Sequence, residues 1–290
     1  MLDEEIKIRL ANTSDCDDIY RWRIDPVANS MFFNKSIPAF EEHRIWFAAA
    51  LNDVRRRLYI GELNGAKIGV CRFDSTVKNS LAEVSINMNP MARGRGFGKK
   101  FLVLSIQHYL IKNKHDLLAK IKPVNVASLN IFESSGFKPV LTDGNLITLI
   151  RGYKQLSFKE VQRDDSDALF ELLESRVHSI SHKKLPTRDE HQAFVQSHPY
   201  RYWALILEDS YPIGAFYLQN DNSVGLNIST FSQYIVWSVL GYIRENFIPR
   251  EEVKSKIPPY FYINVPYPND QLSMVLNQSG AIPIQISYKF

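Results

Sequence analysis

Three segments of the first half recur in the second, in the same order and about 145 residues further on. KSIPAFEEHRIWF, from Lys35, is answered by KKLPTRDEHQAFV, from Lys183. Pro38 pairs with Pro186, Glu42 with Glu190 and His43 with His191. KIGVCRF is answered by PIGAFYL, which pairs Gly69 with Gly214. KPVNVASLNIFESSGFKPV is answered by PYPNDQLSMVLNQSGAIPI, pairing Asn125 with Asn269 and Gly136 with Gly280. A repeat of this length is a domain rather than a motif. Whatever the first half folds into, the second must fold into again. The join falls in RGYKQLSF, which gives domains at 1–152 and 153–290.

Hydrophobic periodicity then orders the first half. IKIRL alternates as a short strand. TSDCDDIYRWRI opens with capping residues and an acidic first turn, as a helix does, and Asp25-Pro26 closes it. IPAFEEHRIWFAAAL is a second amphipathic helix. RLYIGEL and AKIGVCRF flank Asn64-Gly65, a hairpin signal, and LAEVSINMN is a strand in the middle of the sheet. A glycine-rich loop leads into a helix over 98–112. LLAKIKP is a strand, VASLNIFESSG a helix ended by Gly136, and the last stretch a hairpin about Asp143-Gly144. The fold class is α+β, a mixed sheet flanked by helices, made twice.

The loop carries the chemistry. Arg93-Gly94-Arg95-Gly96-Phe97-Gly98 lies between a strand and a helix, where glycine weakens the helix and must serve something else. Bare backbone at a helix N-terminus can converge its N–H groups on a phosphate. Composition limits what that phosphate belongs to. A net charge of +4 without a dense basic stripe argues against nucleic acid. No apolar run is long enough to cross a bilayer, and the start has no secretory pattern. Only Cys16 and Cys71 occur, without CxxC or zinc spacing, as expected of a reduced cytoplasmic protein. His178 and His182 have helical spacing but no third ligand, so no metal is expected.

Arg93, Gly96 and Gly98 in an Arg-x-x-Gly-x-Gly pattern, followed by Asn125-x-x-Ser128, Phe132 and Gly136-Phe137, resemble the GNAT superfamily of acetyl-CoA-dependent N-acetyltransferases. The resemblance covers about residues 5–150. It implies acetyl-CoA as co-substrate and a small-molecule amine as acceptor. The implied cofactor contacts are Asn87 and Met88 at the strand end, residues 93–99 including Gly94, Arg95, Phe97 and Lys99, then Asn125, Ser128 and Phe132. The Met88 amide would polarise the thioester carbonyl. Glu83, on the central strand, is the candidate base. The family often has a tyrosine acid where this chain has Phe132.

YRWRIDPVANSMFFNKSIPAFEEHRIWF further resembles nucleotide-linked amino-sugar N-acetyltransferases of pseudaminic acid-type biosynthesis. That likeness implies Arg23 on a diphosphate, and Met31 and His43 packed on a uracil. A protein, peptide or other small-molecule amine is the alternative acceptor. A non-catalytic, regulatory acetyl-CoA-binding protein is the alternative class.

The second half keeps the frame and loses the chemistry. Ser223 stands for Glu83, FSQYIVWSVLGYIREN replaces the glycine loop, and Leu272 stands for Ser128. It is expected to be a degenerate GNAT-like domain that shapes the acceptor site, a domain interface or a homodimer contact.

Overall fold

In a computed structural model describing residues 5–75, 81–174, 185–265 and 269–285, the chain divides into two compact units, Met1–Tyr153 and Lys154–Phe290. The first unit begins with β1 (Ile6–Leu10), α1 (Cys16–Ile24), α2 (Pro26–Met31) and α3 (Phe40–Asn52). Strands β2 (Arg56–Leu63), β3 (Ala66–Ser75) and β4 (Leu81–Met88) follow. Then come α4 (Phe97–Leu110), β5 (Asp116–Ile121), α5 (Val126–Glu133) and the hairpin β6 (Lys138–Asp143) and β7 (Leu146–Arg151). The sheet order is β1-β2-β3-β4-β5-β7-β6, antiparallel except for β4 beside β5.

One helix escaped the sequence. Asp25-Pro26 closes α1 as expected, with Asp25 as its C-cap, and also opens α2. The Asp25 side chain accepts from the Ala28 N–H at 2.9 Å, and Pro26 takes a first-turn position where a missing N–H costs nothing.

Strand alternation divides the buried residues between two faces. Tyr59, Cys71, Phe73, Ala82 and Val84 pack with Phe101, Leu102 and Tyr109 of α4. Leu58, Ile60 and Val70 point the other way, against Ile19 and Trp22 of α1 and Phe47 and Ala50 of α3. Glu83, Ser85 and Asn87 alternate with the α4-facing residues of β4 and so lie on the α1/α3 face.

The second unit runs β8 (Leu156–Glu160), α6 (Ser166–Glu174), α7 (Arg188–Ser197), β9 (Tyr202–Glu208), β10 (Tyr211–Leu218), β11 (Ser223–Ile228), α8 (Gln233–Asn246), β12 (Tyr262–Ile263) and α9 (Asp270–Gln278). Its sheet order, β8-β9-β10-β11-β12, is antiparallel up to the parallel pair β11–β12. This repeats the order and the strand directions of β1 to β5. Lys183, His178 and His182 lie outside the described residues.

The repeated residues do the same structural work in both copies. A Cβ on Gly69 would sit 2.8 Å from the Asn87 carbonyl oxygen, and one on Gly214 would sit 2.6 Å from that of Asn227. Glycine lets the two middle strands approach. Asn125 and Asn269 cap α5 and α9, accepting from the Ser128 and Leu272 N–H groups. Gly136 and Gly280 end those helices at φ of 88° and 80°. His43 and His191 are both buried among aromatic rings.

A fourth correspondence was not visible as a motif. Asp15, wholly buried, accepts from Arg9 at 2.7 and 2.8 Å and from the Asn12 N–H at 2.9 Å, with Lys67 at 2.7 Å. Asp165 accepts from Lys159 at 2.6 Å and the Gln162 N–H at 2.9 Å. Burial alone would raise the Asp15 pKa. The bonds from Arg9, Lys67 and Asn12 outweigh it and hold the carboxyl well below its ordinary value. Its contribution is therefore full above the unfolded pKa and fades as pH falls toward the folded one. Asp15→Asn is expected to destabilise the first unit by about 3 kcal/mol at neutral pH. In pH-resolved thermal melts the gap from wild type should narrow below about pH 4. A gap that stays constant into acid would place the stabilisation elsewhere.

Candidate active site

Two features of the first unit meet at β4. The first is a gap. β4 pairs with β5 only from Leu81 to Glu83, opposite Asp116 to Leu118, although β4 continues to Met88 and β5 to Ile121. Beyond Glu83 the edge of β4 that turns from β3 is uncovered by β5. The Asn89 N–H donates to Ile68 on the β3 side at 2.9 Å. By alternation, the N–H groups of Met88 and Ile86 point toward the gap.

The chain then turns through residues 89–96 into α4. Gly94 and Gly96 have φ of 72° and 80°, and Gly96 is the N-cap, with no side chain closing the helix end. A Cβ at either glycine would meet nothing within 4 Å, so conformation rather than crowding requires glycine there. The first-turn N–H groups are thus presented at the positive end of a 14-residue helix. Gly98 has a different reason. A Cβ there would meet Ile131 at 2.7 Å, so this glycine brings α4 onto α5.

The second feature is a cavity of about 430 Å³ on the α1/α3 face. Val70, Arg72, Ser85 and Asn87 floor it. Ile19 and Arg23 of α1, and Glu42, His43 and Trp46 of α3, wall it with the segment from Phe32 to Pro38. Glu83 is one rung beyond Ser85 on the same strand face, opposite Asp74 of β3. It is half-exposed, and its Oε2 accepts from Lys120 at 3.0 Å.

Several expected side chains are engaged otherwise. The Arg93 guanidinium, expected on phosphate, donates to Asp25 and to the Met88 carbonyl, tying the start of α2 to the end of β4. Arg95 lies over the Phe97 ring, 4.9 Å from its centroid, and Phe97 itself packs on the core. Lys99 is exposed in the first turn of α4. Phe132 is buried edge-on against Phe137, and its ring is part of the core. Asn125 and Ser128 sit at the start of α5, bonded to each other.

On the acceptor side, Arg23 donates to Asn29, to the Asn34 carbonyl at 2.7 Å and to the Ser36 carbonyl at 3.3 Å, and it covers the Phe32 ring. Three of its five N–H donors hold the cavity wall in place. Burial lowers its pKa. His43 donates from Nε2 to the Cys16 carbonyl at 3.3 Å. Burial pushes its pKa down against that bond, leaving a neutral packed ring with one side on the cavity. Met31 ends α2 and does not line the cavity. Sequence reasoning missed Arg72 and Ser85, which only strand register brings to the floor.

Among the described residues no group of three His, Cys, Asp or Glu side chains is placed to hold a metal. No described helix is long and apolar enough to cross a membrane.

Residues 5–138 match the acetyltransferase (GNAT) domain family. The L-amino acid N-acyltransferase MnaT of Escherichia coli (strain K12) is 25% identical over 167 residues, covering 55% of this chain and 95% of that protein. Two solved structures also resemble it. One is the spermidine N-acetyltransferase of Vibrio cholerae in complex with CoA and spermine (16% identity, TM-score 0.46, 50% of this chain and 94% of that one). The other is yncA of Salmonella typhimurium, a putative acetyltransferase with acetyl-CoA (22% identity, TM-score 0.45, 52% and 95%).

Proposed function

We propose that this chain, whose residues 5–138 carry an acetyl-CoA-dependent GNAT acetyltransferase domain, N-acetylates a small amine held in the cavity of the first unit, and that the amine belongs to a nucleotide-linked amino sugar. The observation that carries the proposal is the double use of β4. One face floors the cavity at Ser85 and Asn87, and the free edge turns the Ile86 and Met88 N–H groups toward the gap that ends at the glycine loop.

The residues present fit acetyl-CoA. The amides from Gly94 to Lys99 suit its pyrophosphate, and the β4 edge suits an extended amide-bearing arm. When bound, it would supply an acetyl group activated as a thioester, and the second proton of the amine would leave with the CoA thiol as the amide forms. Arg93 orients the cradle through Asp25 and Met88 instead of neutralising phosphate. The Met88 N–H donates to a carbonyl oxygen brought to the gap. Glu83 takes the proton of the acceptor ammonium on a carboxylate oxygen, directly or through a water. The aromatic wall of His43, Trp46 and Phe32 suits a planar base.

The second unit is, in this account, a non-catalytic copy. Residues 229–232 replace the longer loop 89–96 and contain no glycine, and Ser223 stands in the rung of Glu83.

An L-amino acid is the second reading of the acceptor, because the relative MnaT is named for that activity. Turnover with acetyl-CoA, measured across UDP- and dTDP-linked amino sugars and across L-amino acids, tests both. The first panel is expected to contain the best substrate. Turnover confined to L-amino acids would replace the acceptor and keep the enzyme.

A further inference from the structure

We infer that Arg72 is the anion anchor of the acceptor cavity, its guanidinium holding a carboxylate or phosphate oxygen of the molecule whose amine is acetylated. The inference rests on the acetyltransferase reading of this cavity and names the class of acceptor it selects.

Arg72 projects from β3 on the floor, across the strand pair from Ser85 and one rung from Asn87. Its Nε lies 3.0 Å from Asp74 Oδ2, yet makes no hydrogen bond and is shut from solvent. Its two terminal nitrogens have no partner among the described residues, while the side chain is 36% exposed. Arg23, the other guanidinium on the cavity wall, already donates to Asn29, Asn34 and Ser36. Asp74 cannot neutralise Arg72 alone, because its other oxygen accepts from Arg56. Glu83, opposite Asp74, is paired with Lys120. The five groups Arg56, Arg72, Asp74, Glu83 and Lys120 leave one positive charge, and of the three cations among them Arg72 is the one that lines the cavity. A planar fork of N–H groups in a largely apolar cavity suits a bidentate oxyanion.

The second unit supplies a control within the chain. Tyr217 pairs with Gly225 in β10 and β11 as Arg72 pairs with Ser85 in β3 and β4. A Cβ on Gly225 would fall 2.0 Å from the Tyr217 ring, so the ring lies flat across that strand, and it stacks on Tyr200 at 4.1 Å. The copy without the glycine loop has an aromatic stack where the first unit keeps an open guanidinium. Residues shared by both copies are explained by folding; this position is among those that differ.

The test compares anionic acceptors with matched partners lacking the anion, in wild type, Arg72→Gln and Arg72→Lys. The probes are L-phenylalanine against 2-phenylethylamine, and a UDP-linked amino sugar against the free amino sugar. Both KM and the dissociation constant by calorimetry without acetyl-CoA are read. In Arg72→Gln the constants for at least one anionic probe should rise about 10-fold or more, with those for its partner within about twofold and acetyl-CoA affinity unchanged. Arg72→Lys should recover part of the loss. The probe pair that responds separates carboxylate from phosphate. Equal shifts for charged and matched probes, or no anionic preference in wild type, would overturn the inference even if acetyl transfer proceeds. An Arg72-dependent anion affinity without any acetyl transfer would keep it and defeat the proposed reaction instead.

Discussion

Glu83→Gln is expected to lower kcat by about 100-fold while acetyl-CoA affinity stays within about twofold of wild type. The substitution keeps size and hydrogen bonding and removes the site that can accept a proton. It costs little folding free energy, because the carboxylate is half-exposed and its pair with Lys120 is a surface ion pair. The effect should therefore fall on turnover and not on the melting temperature. Glu83 stands on the cavity face of β4, at the last rung before β5 leaves the strand. A proton released from an amine above Ser85 has this carboxylate one rung away. Retention of full activity would move the base elsewhere on this face, or show that a neutral amine and water suffice.

Gly96→Asp is expected to weaken acetyl-CoA binding by at least about 100-fold without unfolding the domain. Gly96 caps α4 at φ 80° and ψ 0°, and an added Cβ meets nothing within 4 Å, so the new side chain has room. A carboxylate at a helix N-terminus favours the helix, which offsets part of the backbone strain. It would occupy the position the account gives to a pyrophosphate and repel it. Gly96→Asn supplies the matched control, with similar shape and strain but no charge. The aspartate variant should lose far more affinity than the asparagine variant. Equal losses would assign the effect to backbone conformation.

The repeat was the most legible feature because its residues answer local demands. Gly69 and Gly214 permit a close strand approach, while Asn125 and Asn269 cap a helix. Demands of that kind recur wherever the same backbone recurs. The glycine loop was legible for the same reason, since a positive φ leaves its mark in residue type. Long side chains were not. Arg93 sits beside the cradle, yet its guanidinium turns to Asp25, 68 positions away in sequence. Arg23 faces the cavity but holds up its wall. Arg72 gains its place only from the pairing of β3 with β4. The Asp25-Pro26 pair closes the preceding helix as expected, but its second use, an Asp cap with Pro at the first turn of α2, is hidden in sequence behind that first one.

One unit of the two is expected to carry the chemistry. Titration calorimetry of acetyl-CoA into the full chain tests it most directly. One molecule is expected to bind per chain, with that site lost in Gly96→Asp. Two equivalent sites per chain, or a single site indifferent to Gly96→Asp, would contradict it.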